Sequence, residues 1–226
     1  MSGRRESEHI SIGVMQYNYV AIEGTMGAGK TTLSSMISRD FNGKLILEEF
    51  EPDKNPFLAK FYENPDKYAF QVEMTFLALR FQQLKDKLGN LDLFHDFIIS
   101  DYYVAKSLIF SRENLQPDEY DLFSRFFNII FSNMPKPELM VYLYLDVEHL
   151  QYNIRKRGRE YEQKIDDSYL EHLQQGYFDF IKQQSDMRIL ILDTNNIDFV
   201  ANKKDYGKVV EAIDQPYDVG IHRLVL

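Results

Sequence analysis

The sequence predicts an α/β domain in which a five-stranded parallel sheet carries helices on both faces. Short apolar segments alternate with longer helical stretches, as in a chain of βαβ units. The apolar segments are continuous rather than alternating, which is typical of parallel strands buried on both faces. A length of 226 residues without an internal repeat or long linker fits one domain of this class.

Five segments have the composition of buried strands, and three have that of helices. The predicted strands are residues 17–23, 44–48, 97–100, 139–146 and, last in the chain, 188–193. A helix over residues 30–39 follows the first strand. Apolar side chains at three- and four-residue spacing predict a long helix over 65–88, and a third, aromatic-rich helix covers 117–133. Residues 1–16 are predicted to be a flexible extension, so the single domain spans 17–226.

Composition and charge argue against several classes of function. No apolar run approaches the roughly 20 residues that a bilayer crossing needs, so no membrane association is expected. The chain has no cysteine, which excludes disulfides and thiolate metal sites and fits a cytoplasmic location. A net charge of −9 argues against nucleic acid as a partner, because such proteins usually present a basic face.

A complete phosphate-binding loop lies between the first predicted strand and the first helix. Glycines in such a loop let successive backbone N–H groups point at a β-phosphate, and the helix N-terminus adds a favourable dipole. Lys30 is expected to bridge the β- and γ-phosphate oxygens, and the Thr31 hydroxyl to bind Mg²⁺. Thr32 adjoins the motif and is included in the predicted ATP site. The motif itself reads Gly24, Thr25, Met26, Gly27, Ala28, Gly29, Lys30, Thr31.

Acidic side chains follow two other predicted strands. Ligands of doubly wound sheets bind beyond the carboxyl ends of the strands. Glu48 and Glu49 end the second strand, where a carboxylate can take a proton from an attacking hydroxyl, can cap a helix or can simply be solvated. Asp101 ends the third strand, where it can help Thr31 to hold Mg²⁺ or can cap the next helix.

A highly charged segment, residues 153–163, follows the fourth predicted strand. Arginines in such a segment can bind phosphoryl oxygens as charge spreads in the transition state. A charged loop with a central glycine can also close over a site as a lid. The alternative is a solvated basic surface. Around Gly158 the segment carries Arg155, Lys156, Arg157 and Arg159.

Together these segments resemble the deoxyribonucleoside kinase family, which contains deoxycytidine, deoxyguanosine and bacterial deoxyadenosine kinases. The resemblance covers residues 19–214, and a specific motif in it is the lid pattern R-G-R-x-x-E at 157–162. It implies that Arg157 and Arg159 contact the phosphates and that Glu162 contacts the sugar hydroxyl. It also implies a P-loop kinase fold, ATP and Mg²⁺ as cofactors, and a homodimer.

Further positions take roles by the same resemblance. A Tyr-Glu-x-Pro run that begins at Tyr62 would place this hydroxyl on the deoxyribose 3′-OH. Glu48 would be the catalytic base, with Glu49 in reserve. Asp198 and Phe199, soon after the last predicted strand, would surround the adenine of the phosphate donor.

One departure from the family pattern follows Asp101. Family members carry an arginine directly after this aspartate, where it supports the base and the 5′ oxygen, but this chain has Tyr102. Either Arg80 or Lys106 supplies the missing charge, or the site is tuned differently.

A second departure lies on the long helix. The family places a base-reading glutamine seven residues before a helix arginine, whereas here Glu73 stands seven residues before Arg80. A carboxylate only accepts hydrogen bonds, so Glu73 favours the N1–H and N2–H donors of guanine. A protonated Glu73 would mimic the amide and read adenine or cytosine. A purine, dG or dA, is the expected base.

The resulting hypothesis is transfer of the γ-phosphoryl group of ATP to the 5′-hydroxyl of a deoxyribonucleoside. Two alternatives stay open. A nucleoside monophosphate kinase of the thymidylate kinase type would need extra cations for the acceptor phosphate. A nucleotide-binding switch with a decayed acceptor site would explain the missing arginine.

Overall fold

The computed structural model describes residues 15–48, 55–88, 94–159 and 162–226, which form six strands and eight helices. The strands are β1 (Tyr19–Glu23), β2 (Gly43–Ile46), β3 (Phe97–Ser100), β4 (Leu139–Tyr144), β5 (Arg188–Asp193) and β6 (Gly220–Val225). The helices are α1 (Lys30–Asp40), α2 (Leu58–Glu63), α3 (Pro65–Leu88), α4 (Lys106–Asn114), α5 (Pro117–Phe131), α6 (Val147–Arg157), α7 (Asp167–Lys182) and α8 (Lys203–Ile213).

All six strands pair in parallel in the order β2-β3-β1-β4-β5-β6. The parallel sheet is confirmed, but the predicted count of five strands is wrong, and residues 188–193 are not the last strand. The sixth, β6, pairs with β5 at the sheet edge, with Ile189 opposite Ile221. Its exposure alternates along the strand, so it lacks the continuous apolar run that marks the inner strands.

Helices cover both faces of the sheet, as predicted. The side chains of a strand alternate between faces, so neighbouring residues of β1 enter different cores. Val20 and Ile22 face the layer built by α1, α6 and α8, whereas Tyr19 and Ala21 face the layer built by α3, α4, α5 and α7. The two apolar clusters hold the sheet between them and fix the positions of its carboxyl ends.

Element ends decide which residues reach that edge. Helix α3 has the predicted bounds, but β2 ends at Ile46, so Glu48 lies in the loop beyond the strand. Gly158 ends α6 in a left-handed conformation with φ 72°, so this helix stops in the middle of the charged segment.

The first described residues pack against the domain. Met15 is buried, and the N–H of Gln16 donates to Asp214. Across the described parts of the chain, every helix is too short or too polar to cross a bilayer.

Candidate active site

The phosphate-binding loop joins the end of β1 to the start of α1. Gly27 and Gly29 adopt φ of 86° and 88°, which a residue with a Cβ rarely tolerates. A Cβ on Gly29 would also lie 2.9 Å from Cζ of Phe199. Both the turn and the close approach of this ring therefore require glycine here.

Lys30 folds back over this loop. Its ammonium donates to the carbonyl oxygens of Gly24 at 2.7 Å and Thr25 at 3.0 Å. Burial and the nearby charge of Lys106 lower the pKa of Lys30 to about 8, against the opposing effect of neighbouring carboxylates. The two hydrogen bonds place the Lys30 ammonium inside the loop, where a phosphate would bind.

Asp101 connects the loop to the neighbouring strand end. One carboxylate oxygen accepts a hydrogen bond from the Thr31 hydroxyl at 2.6 Å, and the other accepts from the backbone N–H of Glu48 at 2.7 Å. Helix α4 begins after Ala105 without a side-chain cap, so the alternative of Asp101 as its cap is wrong. Within the described ranges no three His, Asp or Glu side chains cluster as metal ligands. The oxygens of Thr31 and Asp101 do fit Mg²⁺, which takes few protein ligands and completes its shell with phosphates and water.

Glu48 is held between two cations. Its Oε1 accepts from Nη2 and Nε of Arg80 at 2.8 and 3.0 Å, and its Oε2 accepts from Nζ of Lys106 at 2.5 Å. Burial opposes ionisation of Glu48, but Lys106 and Arg80 outweigh it and hold the pKa of this carboxyl well below its usual range. Arg80 is itself fixed by Nη1, which donates to Ser107 at 2.9 Å. Glu49, the reserve base, lies outside the described residues.

The position of the missing arginine is filled by a core residue. Tyr102 is fully buried, and its hydroxyl donates to Oε1 of Gln83 at 2.8 Å. Lys106 is the first residue of α4 and approaches Glu48 from that helix. Arg80 and Lys106, the two cations that the sequence offered in place of the missing arginine, thus both form ion pairs with Glu48.

Helices α3 and α4 line a cavity of about 530 Å³ next to Glu48. At its other end Glu73, only 4% exposed, accepts a hydrogen bond at 2.7 Å from Nδ2 of Asn114. Burial raises the pKa of Glu73. Asn114 is not among the residues predicted from the sequence, although its spacing of four and eight residues from Phe110 and Lys106 places all three on one face of a helix.

The charged segment closes one side of this cavity. Nε of Arg157 donates to Oε2 of Glu162 at 3.0 Å, Nη2 of Arg157 reaches the same oxygen, and Nη1 of Arg159 lies 3.4 Å from Oε1. Glu162 is buried while both arginines stay partly exposed. The side chain of Tyr62, predicted to bind the sugar, lies outside the described part of the structure.

A second cavity, of about 1030 Å³, lies on the other side of the loop. Thr32, Asp198 and Phe199 line it together with Gly27 and Gly29 of the loop. The Asp198 carboxylate accepts from the N–H groups of Val200 and Ala201 at 3.0 and 2.9 Å, which orders this segment. The two cavities meet at a shared set of lining residues: Lys30, Thr31, Arg157 and Arg159.

Comparison with known proteins identifies the family of this chain. The chain matches the deoxynucleoside kinase family over residues 20–217. It is similar to deoxyguanosine kinase from Bacillus subtilis, with 36% identity over 201 residues that cover 87% of this chain and 96% of that protein. The deoxyadenosine/deoxycytidine kinase of the same species is 26% identical over 198 residues, which cover 86% and 90% of the two chains. A solved structure of deoxyadenosine kinase from M. mycoides with bound dATP superposes with a TM-score of 0.72 at 26% identity, covering 87% of this chain and 98% of that one. The chain therefore belongs to the deoxynucleoside kinase family and is an ATP-dependent phosphotransferase.

Proposed function

We propose that the enzyme transfers the γ-phosphoryl group of ATP to the 5′-hydroxyl of a purine deoxyribonucleoside. The observation that carries this proposal is the meeting of two cavities at Lys30, Thr31, Arg157 and Arg159. ATP would occupy the larger cavity and the nucleoside the smaller one. The γ-phosphoryl group would then lie between them, within reach of cations from both sides.

On the donor side, the loop amides and Lys30 would hold the β- and γ-phosphates. Asp198 and Phe199 would lie beside the adenine. Thr31 and Asp101 would hold Mg²⁺, which neutralises charge on the phosphate oxygens when it is bound. Arg157 and Arg159 would contact the transferring group from the lid.

On the acceptor side, Glu48 would take the proton of the 5′-hydroxyl. The new bond joins the 5′ oxygen to the γ-phosphorus, the bond from phosphorus to the β–γ bridging oxygen breaks, and ADP leaves with that electron pair. A carboxylate with a depressed pKa is a weak base. In a loose transition state, however, positioning of the hydroxyl contributes more than basicity. Tyr62 and Glu162 would bind the hydroxyls of the sugar.

The charges of the acceptor cavity favour an uncharged substrate over a monophosphate. The two cations that α3 and α4 contribute to it, Arg80 and Lys106, are both engaged by Glu48. The far end of the cavity carries the acidic Glu73. A second phosphate would meet a carboxylate at either end, which disfavours the thymidylate kinase alternative. The engaged Lys106 also argues against a decayed acceptor site, because the charge of the missing arginine is still supplied.

The purine preference rests on relatives and on the chemistry of Glu73. The relatives reported above carry the names deoxyguanosine kinase, deoxyadenosine/deoxycytidine kinase and deoxyadenosine kinase, and each name includes a purine deoxynucleoside. Two further proposals accompany it, a cytoplasmic location and a homodimer. The surface of α5 exposes Leu122, Phe126 and Ile129, which would suit contact with a second copy.

An acceptor panel tests the proposed function. Purified enzyme with ATP and Mg²⁺ should release ADP with dG or dA well above dC, dT and dTMP. Glu48→Gln should lower kcat by about 10²–10⁴ while ATP binding, measured by calorimetry, stays within about threefold. Glu171→Gln, an exposed change on α7, is the matched control and should leave both quantities unchanged. Phosphorylation of dTMP alone, or no acceptor-dependent ADP release, would overturn the proposal.

A further inference from the structure

The peptide group that precedes Glu48 is held at both of its polar atoms. Strand β2 ends at Ile46, so the chain beyond it has left the sheet ladder. The N–H of Glu48 donates to Oδ1 of Asp101 at 2.7 Å. The carbonyl oxygen of Leu47 accepts from Nε2 of Gln83 at 2.5 Å. Because a peptide group is planar and rigid, hydrogen bonds to its oxygen and its N–H together fix the plane from which the Glu48 side chain starts.

Gln83 is itself oriented by a tyrosine of the core. The hydroxyl of Tyr102, which is fully buried, donates to Oε1 of Gln83 at 2.8 Å. Burial raises the pKa of Tyr102, so this hydroxyl keeps its proton and acts as the donor. A glutamine amide has one accepting and one donating end. With its oxygen bonded to Tyr102, the amide of Gln83 turns its NH₂ group toward the carbonyl of Leu47.

Different groups therefore hold the side chain of Glu48 and its backbone. Arg80 and Lys106 form ion pairs with the carboxylate, whereas Gln83 bonds the peptide. Gln83 lies three residues beyond Arg80 on α3, a spacing that puts both side chains on the same side of the helix. Neither Gln83 nor Tyr102 lines the donor or the acceptor cavity, so neither would touch a bound substrate.

We infer that Tyr102 and Gln83 are positioning residues that direct the carboxylate of Glu48 toward the 5′-hydroxyl of the nucleoside. This inference rests on the proposed function, in which Glu48 is the base. The charge around Glu48 does not depend on the Tyr102–Gln83 pair, since Arg80 and Lys106 remain without it. Loss of the pair would let the peptide rotate about its remaining hydrogen bond and move the carboxylate away from the hydroxyl. A misplacement of about 1 Å can lower a rate by about 10²-fold.

Two variants remove the pair from either end. Tyr102→Phe deletes one buried hydroxyl, and Gln83→Met keeps an unbranched side chain without the amide. Single-turnover phosphoryl transfer would be measured with enzyme in excess of dG or dA and with saturating ATP, which separates chemistry from product release. Each variant should be about tenfold slower, while the Kd values for ATP and nucleoside stay within about threefold of wild type. Gln82→Met, an exposed neighbour on α3, is the matched control and should keep the wild-type rate.

A double-mutant cycle with Glu48 separates positioning from a general loss of structure. Glu48→Ala leaves no carboxylate to position. Adding Tyr102→Phe or Gln83→Met to it should therefore slow the residual transfer, followed with radiolabelled ATP, by less than about twofold. A loss of packing around the site would instead lower the rate by the same factor with and without the glutamate.

The outcomes distinguish this inference from the proposed function. Wild-type transfer rates in both single variants, or equal losses in the two backgrounds, would overturn the inference alone. If Glu48→Ala kept the wild-type rate, the proposed role of Glu48 would fail and the inference with it. Melting temperature and ATP binding would show whether each variant is folded, and if either Tyr102→Phe or Gln83→Met is not, the other decides.

Discussion

Substitution of Lys106, the residue of α4 that contacts Glu48, tests whether a cation beside Glu48 is needed for catalysis. Lys106 lies 2.5 Å from Glu48, and its side chain is only 11% exposed, so water screens its charge weakly. It is also the second cause, after burial, of the lowered pKa of Lys30. The Lys106 ammonium is therefore close to both the proposed base and the phosphate-binding lysine.

Lys106→Met removes this charge and keeps an unbranched side chain that can still contact Phe110. The loss of one preorganised cation at a reacting centre costs about 2.7–4 kcal/mol of transition-state stabilisation. At about 1.4 kcal/mol per tenfold in rate, kcat with dG or dA should fall by about 10²–10³. Glu48 keeps Arg80 as a partner, so it stays ionised at pH 7 and the fold should remain intact.

The assay is steady-state ADP release with a saturating nucleoside, read beside the melting temperature of each variant. Lys106→Arg keeps the charge and should retain kcat within about tenfold of wild type. A catalytic role for the Lys106 charge would be refuted if Lys106→Met kept more than about a third of wild-type kcat, or if the arginine variant were as impaired as the methionine variant. A second readout is the pKa of Lys30, which should rise in Lys106→Met because a neighbouring positive charge is gone.

Two further predictions concern the phosphate-binding loop. Gly29→Ala places a Cβ 2.9 Å from Phe199 at a φ of 88°, which costs at least about 1–2 kcal/mol, so the melting temperature and ATP affinity should both fall. Gly207→Ala on α8, whose Cβ would meet no atom within 4 Å, should instead be neutral or stabilising. The pKa of Lys30 is lowered from 10.5 to about 8 by burial and by Lys106, so the free enzyme carries this charge below pH 8 and loses it above. Calorimetric ATP affinity should therefore be level below pH 8 and fall by up to about tenfold per unit above it, while Lys30→Arg should show no such fall. Unchanged affinity up to pH 9.5 in the wild type would contradict this second prediction.

Local sequence patterns were sufficient for most of the architecture. The inner strands carry continuous apolar runs because both of their faces are buried. Helix α3 carries a long helical periodicity because one stripe of its surface is buried. They placed α3 and β5 at their observed bounds. The edge strand β6 was missed because only one of its faces packs, so Ile221 and Val225 stay exposed and no continuous apolar signal exists.

Pairings between distant residues were beyond the reach of such patterns. Arg80, Lys106 and Glu48 come from three separate segments, and only the crossing of α3, α4 and the loop after β2 brings them together. Asn114 was missed for the same reason, since its meaning depends on Glu73 of another helix. The spacing of a motif identifies residues that act within one loop. A site formed by residues of different helices can be recognised only once the fold is known.

Tyr102 shows why a missing motif residue is poor grounds for inferring a lost activity. The backbone after β3 still leads from Asp101 into α4, but the side chain at the arginine position turns into the core and donates to Gln83. Positive charge at the proposed base Glu48 comes instead from Lys106, in the first turn of the same helix. Since the electrostatic field at the carboxylate depends on distance and burial rather than on sequence position, a cation four residues later can serve the same site. We therefore expect Lys106 to supply the charge of the family arginine, and the rates of Lys106→Met and Lys106→Arg measure how fully it does so.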